Sequence, residues 1–313
     1  PLHPLNGLPR PFSSTAMTEA STPAHRSFSP GRLGAIAHNT LLELVRLRVF
    51  SFLLLFALLV IGSSVFTVQF SLQNQFQVLK DVGLGAASIF SWLLGLFCTA
   101  FLLPKDTEDR TLYTILAKPV SRLEYLLGKL LGVYILLAIA LAAMALLFSG
   151  VLGLRLSQAV AEVSTNPQLP PEIVSQELAK LRASAFQWNL VPGFVLIYLK
   201  AILLATLTLL ISTFASSSVF TMLVSVAVYF IGHVQGLVRE VWLDPGTASP
   251  LIKVFVALLA LLFPDLQLFN VVDEIALGTP VPALLFWKIS ALGLLYTGFY
   301  LLMAHFLFSS KEL

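Results

Sequence analysis

The chain has 313 residues, of which 57% are hydrophobic and only 11% charged, with a formal net charge of +3 and a mean hydropathy of +0.88. A globular domain covers its surface with roughly a quarter of its residues charged, so this composition excludes a water-soluble domain and points to lipid as the covering. No basic block with interleaved aromatics marks a nucleic-acid partner.

Residues 1–31 are rich in Pro, Ser and Thr and hold no apolar run long enough for a signal-peptide core, so they are expected to be disordered. The chain opens on Pro1 and its first methionine is Met17, which makes Met17 the expected true start. The stretch LGAIAHNTLLELVRLRVF follows with helical periodicity. Leu33, Ile36, Ala37, Leu41, Leu44 and Val45 share a broad apolar face, with Asn39, Glu43 and Arg46 opposite. Such a helix lies in the membrane interface. A plain anchor for the first span accounts for the periodicity equally well.

A spanning helix needs about 20 mostly apolar residues to cross roughly 30 Å of hydrocarbon, and the gaps between charges supply six candidates. VFSFLLLFALLVIGSSVFTVQF is the first, with the second near Leu84 to Leu103 and the third near Leu126 to Leu147. Between Lys200 and Arg239 no residue is charged, and the run suits two spans joined by the polar turn Ser212 to Ser218. The sixth runs from about Leu284 to Phe308, and the stems of Lys288 and Lys311 can reach the two interfaces. Val254 to Phe263 is only about half the length needed to cross and reads as an interfacial or re-entrant helix, with a seventh span as the alternative.

Cys98, the single cysteine, lies within the second span's apolar run and reads as a small buried hydrophobe. Lys200 leaves two registers open. In the favoured one the fourth span starts near Lys200, the ammonium snorkels outward, and Phe186 to Leu199 is an outer interfacial segment. In the other the span starts near Val191 and Lys200 becomes an intramembrane polar site, which is costly. His233 and His305 read as helix-packing or interfacial residues.

Orientation follows from the bases in the short connections. Arg26, Arg32, Arg46 and Arg48 precede the first span, and Lys105, Arg110, Lys118, Arg122 and Lys129 follow the second. Both groups are expected in the cytoplasm, with both termini. The connections 155–188 and 239–283 are acid-rich and are expected outside.

The segment EDRTLYTILAKPVSRLEYLLGK, residues 108–129, concentrates charge between two apolar runs. Asp106 is a candidate N-cap, Glu108 and Asp109 suit a first helical turn, and Leu112, Ile115 and Leu116 line one face. A short amphipathic helix over Thr107 to Ala117 is therefore expected, ended by Pro119. Ser121 and Glu124 then form a capping box ahead of the third span. Such a helix offers a soluble partner a charged face to grip, although charge counting alone favours a solvated loop.

No phosphate cradle G-x-x-x-x-G-K-[ST] is present: around Gly128-Lys129, Leu123 and Leu130 stand at the required positions. Neither H-E-x-x-H nor G-x-S-x-G occurs. Gly128-x-x-x-Gly132 and Gly232-x-x-x-Gly236 permit close helix approach.

The stretches Ala35 to Phe50 and Glu108 to Gly132 together resemble the integral membrane permease subunits of ABC-2 type ABC transporters. The likeness is greatest to the permeases of nitrous oxide reductase maturation and of gliding motility. That family's acid, Arg-Thr pair, leucine-rich turn, P-[VI]-[ST]-R and G-K are matched here by Glu108, Arg110, Thr111, Leu116, Pro119, Val120, Ser121, Arg122, Gly128 and Lys129. The resemblance spans Arg32 to Leu313, and the outward loops carry none of it.

What it implies is an all-α polytopic membrane protein with six transmembrane helices, its permease domain covering residues 32–313. An N-terminal elbow helix at Ala35 to Arg48 would carry Glu43, Arg46 and Arg48, and a cytoplasmic coupling helix would lie within Thr107 to Lys118. By the same resemblance, the coupling helix docks on a separate ABC ATP-binding subunit through Glu108, Asp109, Arg110, Thr111 and Tyr113, with Arg122 as a helix-terminus contact. Two permeases pair as a homodimer or heterodimer in the inner membrane. ATP and Mg belong to the partner subunit, so this chain is expected to bind no cofactor or metal and to be no enzyme itself. The alternative is a secondary transporter or channel with no ATPase, which calls for internal repeats and intramembrane charged pairs. Neither is legible in the sequence.

Overall fold

The computed structural model describes residues 29–67, 75–108, 121–165, 170–185, 187–215, 217–242, 251, 254 and 262–310. Every regular element among them is a helix. Hydrocarbon requires this of an open chain, because only a helix bonds its backbone N–H and C=O groups within one segment. Helix α1, Pro30–Val45, has proline in its first turn, where the missing N–H costs nothing. The chain then bends by 69° into α2, Arg48–Thr67. Next come α3, Gln75–Ala100, and the short α4, Leu102–Glu108. The 44-residue α5, Arg122–Thr165, is followed by α6, Pro171–Ala185, and α7, Leu190–Phe214. Helix α8, Ser218–Trp242, a 3-10 turn at Leu266–Phe269, α9, Val272–Ala276, and α10, Ala283–Ser310, complete the order.

Five helical stretches are long and apolar enough to cross a membrane: Gln75–Asp106, Arg122–Thr165, Pro171–Phe214, Ser218–Gln235 and Ala283–Ser310. The bent pair formed by α1 and α2 makes a sixth if it is taken as one span. The chain is thus an all-α, multi-pass architecture with five to six spans. The turn expected at Ser212 to Ser218 is the break between Phe214 and Ser218, where Ala215 is extended. The centre of Val254 to Phe263 and most of residues 1–31 lie outside the described residues.

The acid-rich connection 155–188 is largely helical rather than a loop. At about 1.5 Å per residue, the 44 residues of α5 reach roughly 66 Å, about twice the hydrocarbon thickness. Its far end runs beyond the apolar run and packs on α6, with Leu156, Ala159 and Leu181 between them. Pro171 suits the first helical position, where its missing N–H costs nothing, and Glu172 at the start of α6 and Arg182 near its end are the charges that a helix dipole favours there.

At the centre stands α7, packed on α3, α5, α8 and α10. Its residues are hydrophobic all round and buried almost continuously from Lys200 to Leu209, as a helix enclosed by neighbours must be. Its buried hydroxyls Thr206 and Thr208 return their hydrogens to the carbonyls of Ile202 and Leu204, so they cross the core satisfied. Trp92 of α3 stacks on Tyr229 of α8 at 3.6 Å between centroids. Cys98 is a free, buried thiol in this core, in keeping with its sequence reading.

Glycine spacing fixes the α1–α5 crossing. A Cβ on Gly128 would meet Ile36 at 2.6 Å, and one on Gly132 would meet Thr40 at 2.8 Å and the Ala37 carbonyl at 2.9 Å. The Gly128–Gly132 pair therefore serves the close helix approach expected of it, with α1 as its partner. Gly83 makes room for the Phe148 ring. Gly232 faces Leu266 and the Pro264 carbonyl, so its close approach is to the segment before the 3-10 turn; the packing of Gly236 lies outside the described residues.

Gly132→Val should lower unfolding stability by about 1–3 kcal/mol, because the Ala37 backbone oxygen cannot step aside as a side chain would. Gly150→Ala, which meets nothing within 4 Å, serves as the control and should stay within about 0.5 kcal/mol of the parent. Thermal unfolding in detergent measures both.

Candidate functional site

The start of α5 is built by the expected capping box. Ser121 Oγ accepts from the Glu124 N–H at 3.1 Å, and the Glu124 carboxylate accepts from the Ser121 N–H at 3.0 Å. The same carboxylate accepts from the Ser29 N–H at 2.7 Å and pairs with Arg32 at 2.9 Å, which ties the beginning of α1 to the beginning of α5. Glu124 lies ahead of the apolar run of α5. The two backbone donors, with Arg32 behind them, hold its carboxyl down to about 2.

One turn further along, Lys129 Nζ lies 2.7 Å from Asp106 of α4 and 3.5 Å from Glu43 of α1. Lys105 pairs with the other oxygen of Glu43 at 2.7 Å, and the Tyr125 hydroxyl donates to Asp106. Burial alone would raise the Glu43 carboxyl, but the Lys105 hydrogen bond and the Lys129 charge outweigh it and hold it below its ordinary value. Arg122 donates to the carbonyls of Phe308 and Ser309 at 2.8 and 2.6 Å, where a helix C-terminus leaves carbonyls without intrahelical partners. Tyr125 stacks on the Phe308 ring at 5.9 Å. Five elements thus meet at one charged end: α1, α4, the start of α5 and, through Leu209 and Phe308, the ends of α7 and α10.

Two sequence expectations change here. Asp106 caps no new helix, because α4 is already helical from Leu102 and Asp106 sits near its end, turned to Lys129 and Tyr125. Glu43 does not point away from the protein; it shares an ion network with two lysines. Arg46 and Arg48 are exposed where α1 bends into α2, beside an open recess of about 470 Å³ lined by Asn39, Glu43, Arg46 and Lys105. Of the expected docking residues, Arg122 at the start of α5 bonds the end of α10, and Glu108 is the last described residue of α4. The Glu108 side chain, and all of Asp109, Arg110, Thr111 and Tyr113, lie outside the described residues.

Lys200 is a further correction. Helix α7 is continuous from Leu190, so no separate segment ends at Leu199, and Lys200 lies roughly 15 Å along it. The residue is 4% exposed. Its Nζ is 3.2 Å from His233 Nε2 and 5.7 Å from the Tyr229 ring centre, and His233 Nδ1 is 3.0 Å from the Tyr229 carbonyl. The ammonium therefore lies inside the bundle rather than reaching outward, and His233 is its partner rather than a plain packing residue. The legible signal was Tyr229 and His233 at i, i+4 in a run without charged residues, since that spacing puts two polar tips on one face.

Among the described residues no group of His, Cys, Asp and Glu is arranged to hold a metal ion. No protein-family model matches the chain, and no curated protein matches its sequence.

Lys129→Met takes the ammonium from Asp106 and one of the two from Glu43, and should cost about 3 kcal/mol. Lys129→Met combined with Asp106→Asn should cost at least ~1 kcal/mol less than the sum of the single losses, as read from a double-mutant cycle on unfolding. The Glu124 carboxyl sits below its ordinary 4.5, so its contribution is fully present above about pH 4.5 and fades as pH falls towards 2. Across that window the thermal midpoint of Glu124→Gln should decline less steeply than the parent's.

Proposed function

We propose that this chain is the membrane-spanning permease subunit of an ABC-2 type exporter, driven by ATP and Mg on a separate ATP-binding subunit. One observation carries the reading. The two ends of the 109–120 stretch are gripped at a single place, Asp106 before it and Tyr125 and Lys129 after it. A partner that pulled or pushed on that stretch would act on α4 and α5 together. Through Glu43 and Arg122, the load would also reach α1 and the end of α10.

In this reading α1 is the elbow helix, laid across α5 and bent by 69° from α2, and residues 107–118 hold the coupling helix. The charged end carries Arg32, Arg46, Arg48, Lys105, Arg122 and Lys129, which favours a cytoplasmic placement in the inner membrane with both termini on that side. Two copies, or this chain and a related permease, would enclose the path.

A second reading, a secondary transporter or channel, draws on one feature: Lys200 and His233 meet inside the bundle, where ionisable groups mark ion or substrate pathways. The two readings separate in one preparation. Glu108→Lys with Arg110→Glu should abolish co-purification of an ATP-binding subunit while leaving the chain's own thermal midpoint unchanged. A complex that survives the reversal sinks the docking role. Flux driven by an ion gradient without ATP, and lost in Lys200→Met, would instead favour the second reading.

A further inference from the structure

At the end of the bundle away from α1, an open cavity of about 390 Å³ lies between the start of α3, the far end of α5, the end of α6 and the turn after α9. Lys80, Gln187, Ser184, Gln75 and Gln77 line it, with Glu162 on its rim. The volume falls in the range of small-ligand sites, roughly 300–1,000 Å³.

Lys80 is the unusual member. It is 1% exposed, yet its only hydrogen-bond partner among the described residues is a neutral one, Gln187 Oε1 at 3.0 Å. No described carboxylate lies within 4.0 Å of its ammonium, while Lys105, Lys129 and Arg32 at the other end all have one. An ammonium has three donors, and removing it from water without a counter-charge is unfavourable.

The acceptor is itself held in place. Gly278 has φ +80°, and a Cβ there would come within 2.9 Å of Gln187 Nε2, so the turn both needs glycine and leaves room for the amide. Asn189 Nδ2 donates to the Thr279 carbonyl at 2.9 Å and ties the 187–189 segment to the same turn.

The geometry points to an anion-binding site here, in which Lys80 holds a ligand oxyanion and the polar side chains receive the rest of the ligand. A single buried ammonium with a carboxylate on the rim suits one negative charge and disfavours a polyanion. The ligand class is a monoanionic oxyanion, carried either by a soluble carboxylate or by the phosphodiester of a lipid headgroup. The site stands independently of the transport reading.

The test uses the full chain and reads its thermal midpoint in two arms. One titrates detergent-purified protein with sodium acetate against sodium chloride at equal ionic strength. The other compares nanodiscs of phosphatidylcholine alone with nanodiscs that also contain phosphatidylglycerol. A saturable rise over the control is expected in at least one arm, with half-saturation weakened at least tenfold in Lys80→Gln. A response to acetate assigns a soluble carboxylate, and a response to phosphatidylglycerol alone assigns a lipid headgroup. No rise in either arm, or an unaltered response in Lys80→Gln, overturns the site. Should Lys80→Gln fail to fold, Glu162→Gln on the exposed rim decides: half-saturation should tighten by about threefold, as the loss of one partly screened repulsion allows, and an unchanged value overturns the assignment.

Discussion

Lys129 binds two carboxylates that arrive from different helices, Asp106 on α4 and Glu43 on α1, and the geometry of the charged end depends on that bridge. It is possible only because α1 lies close across α5. Gly128 and Gly132 remove the side chains that would hold the helices apart, and Ile36, Ala37 and Thr40 fill the space. Steric permission and ionic attraction thus act on the same pair of helices. With one side of the site apolar and tightly packed, Lys129 and Asp106 are largely withdrawn from water, where an ion pair gains strength only if its geometry is good and its remaining bonds are made. Tyr125 donates a further one to Asp106, and Glu43 accepts from both Lys129 and Lys105.

The bundle places its other basic groups under different rules. Lys200 lies in the middle of α7, shielded by α8, and its neighbours are an imidazole and a ring face rather than a carboxylate. Lys80 is buried at the opposite end beside an amide. A lysine held in an ion network ties elements together, whereas one left among neutral dipoles keeps its capacity to attract an anion or exchange a proton. The three buried lysines therefore stand in three different settings: a two-carboxylate clamp, an imidazole and ring face within the bundle, and an amide beside a cavity.

The two ends of the molecule also differ in build. At the charged end, short elements and helix termini converge, and their carbonyl and amide ends are satisfied by side chains such as Arg122 and Glu124. At the far end, α5 runs on past its apolar run and packs on α6, and both helices line the cavity.

Much of this could be read in the amino-acid order. Membrane residence, the helical class, the approximate spans and the Ser121–Glu124 box depend on local composition and on spacings of three or four residues, which a helix turns directly into neighbours. The Gly128–Gly132 spacing also announced a close crossing, though not that α1 would be the partner. What could not be read was every contact between residues far apart in the chain: Glu43 with Lys129, Arg122 with the end of α10, Lys80 with Gln187, and Lys200 with His233. Hydropathy placed Lys200 at an interface because snorkelling is the least costly position for a lone ammonium. Folding moved it inside, because α8 brings an imidazole and an aromatic face to the same depth. Local chemistry decides which segments become helices and where they can lie in lipid; which charges find one another depends on how those helices cross, and only the assembled bundle settles that.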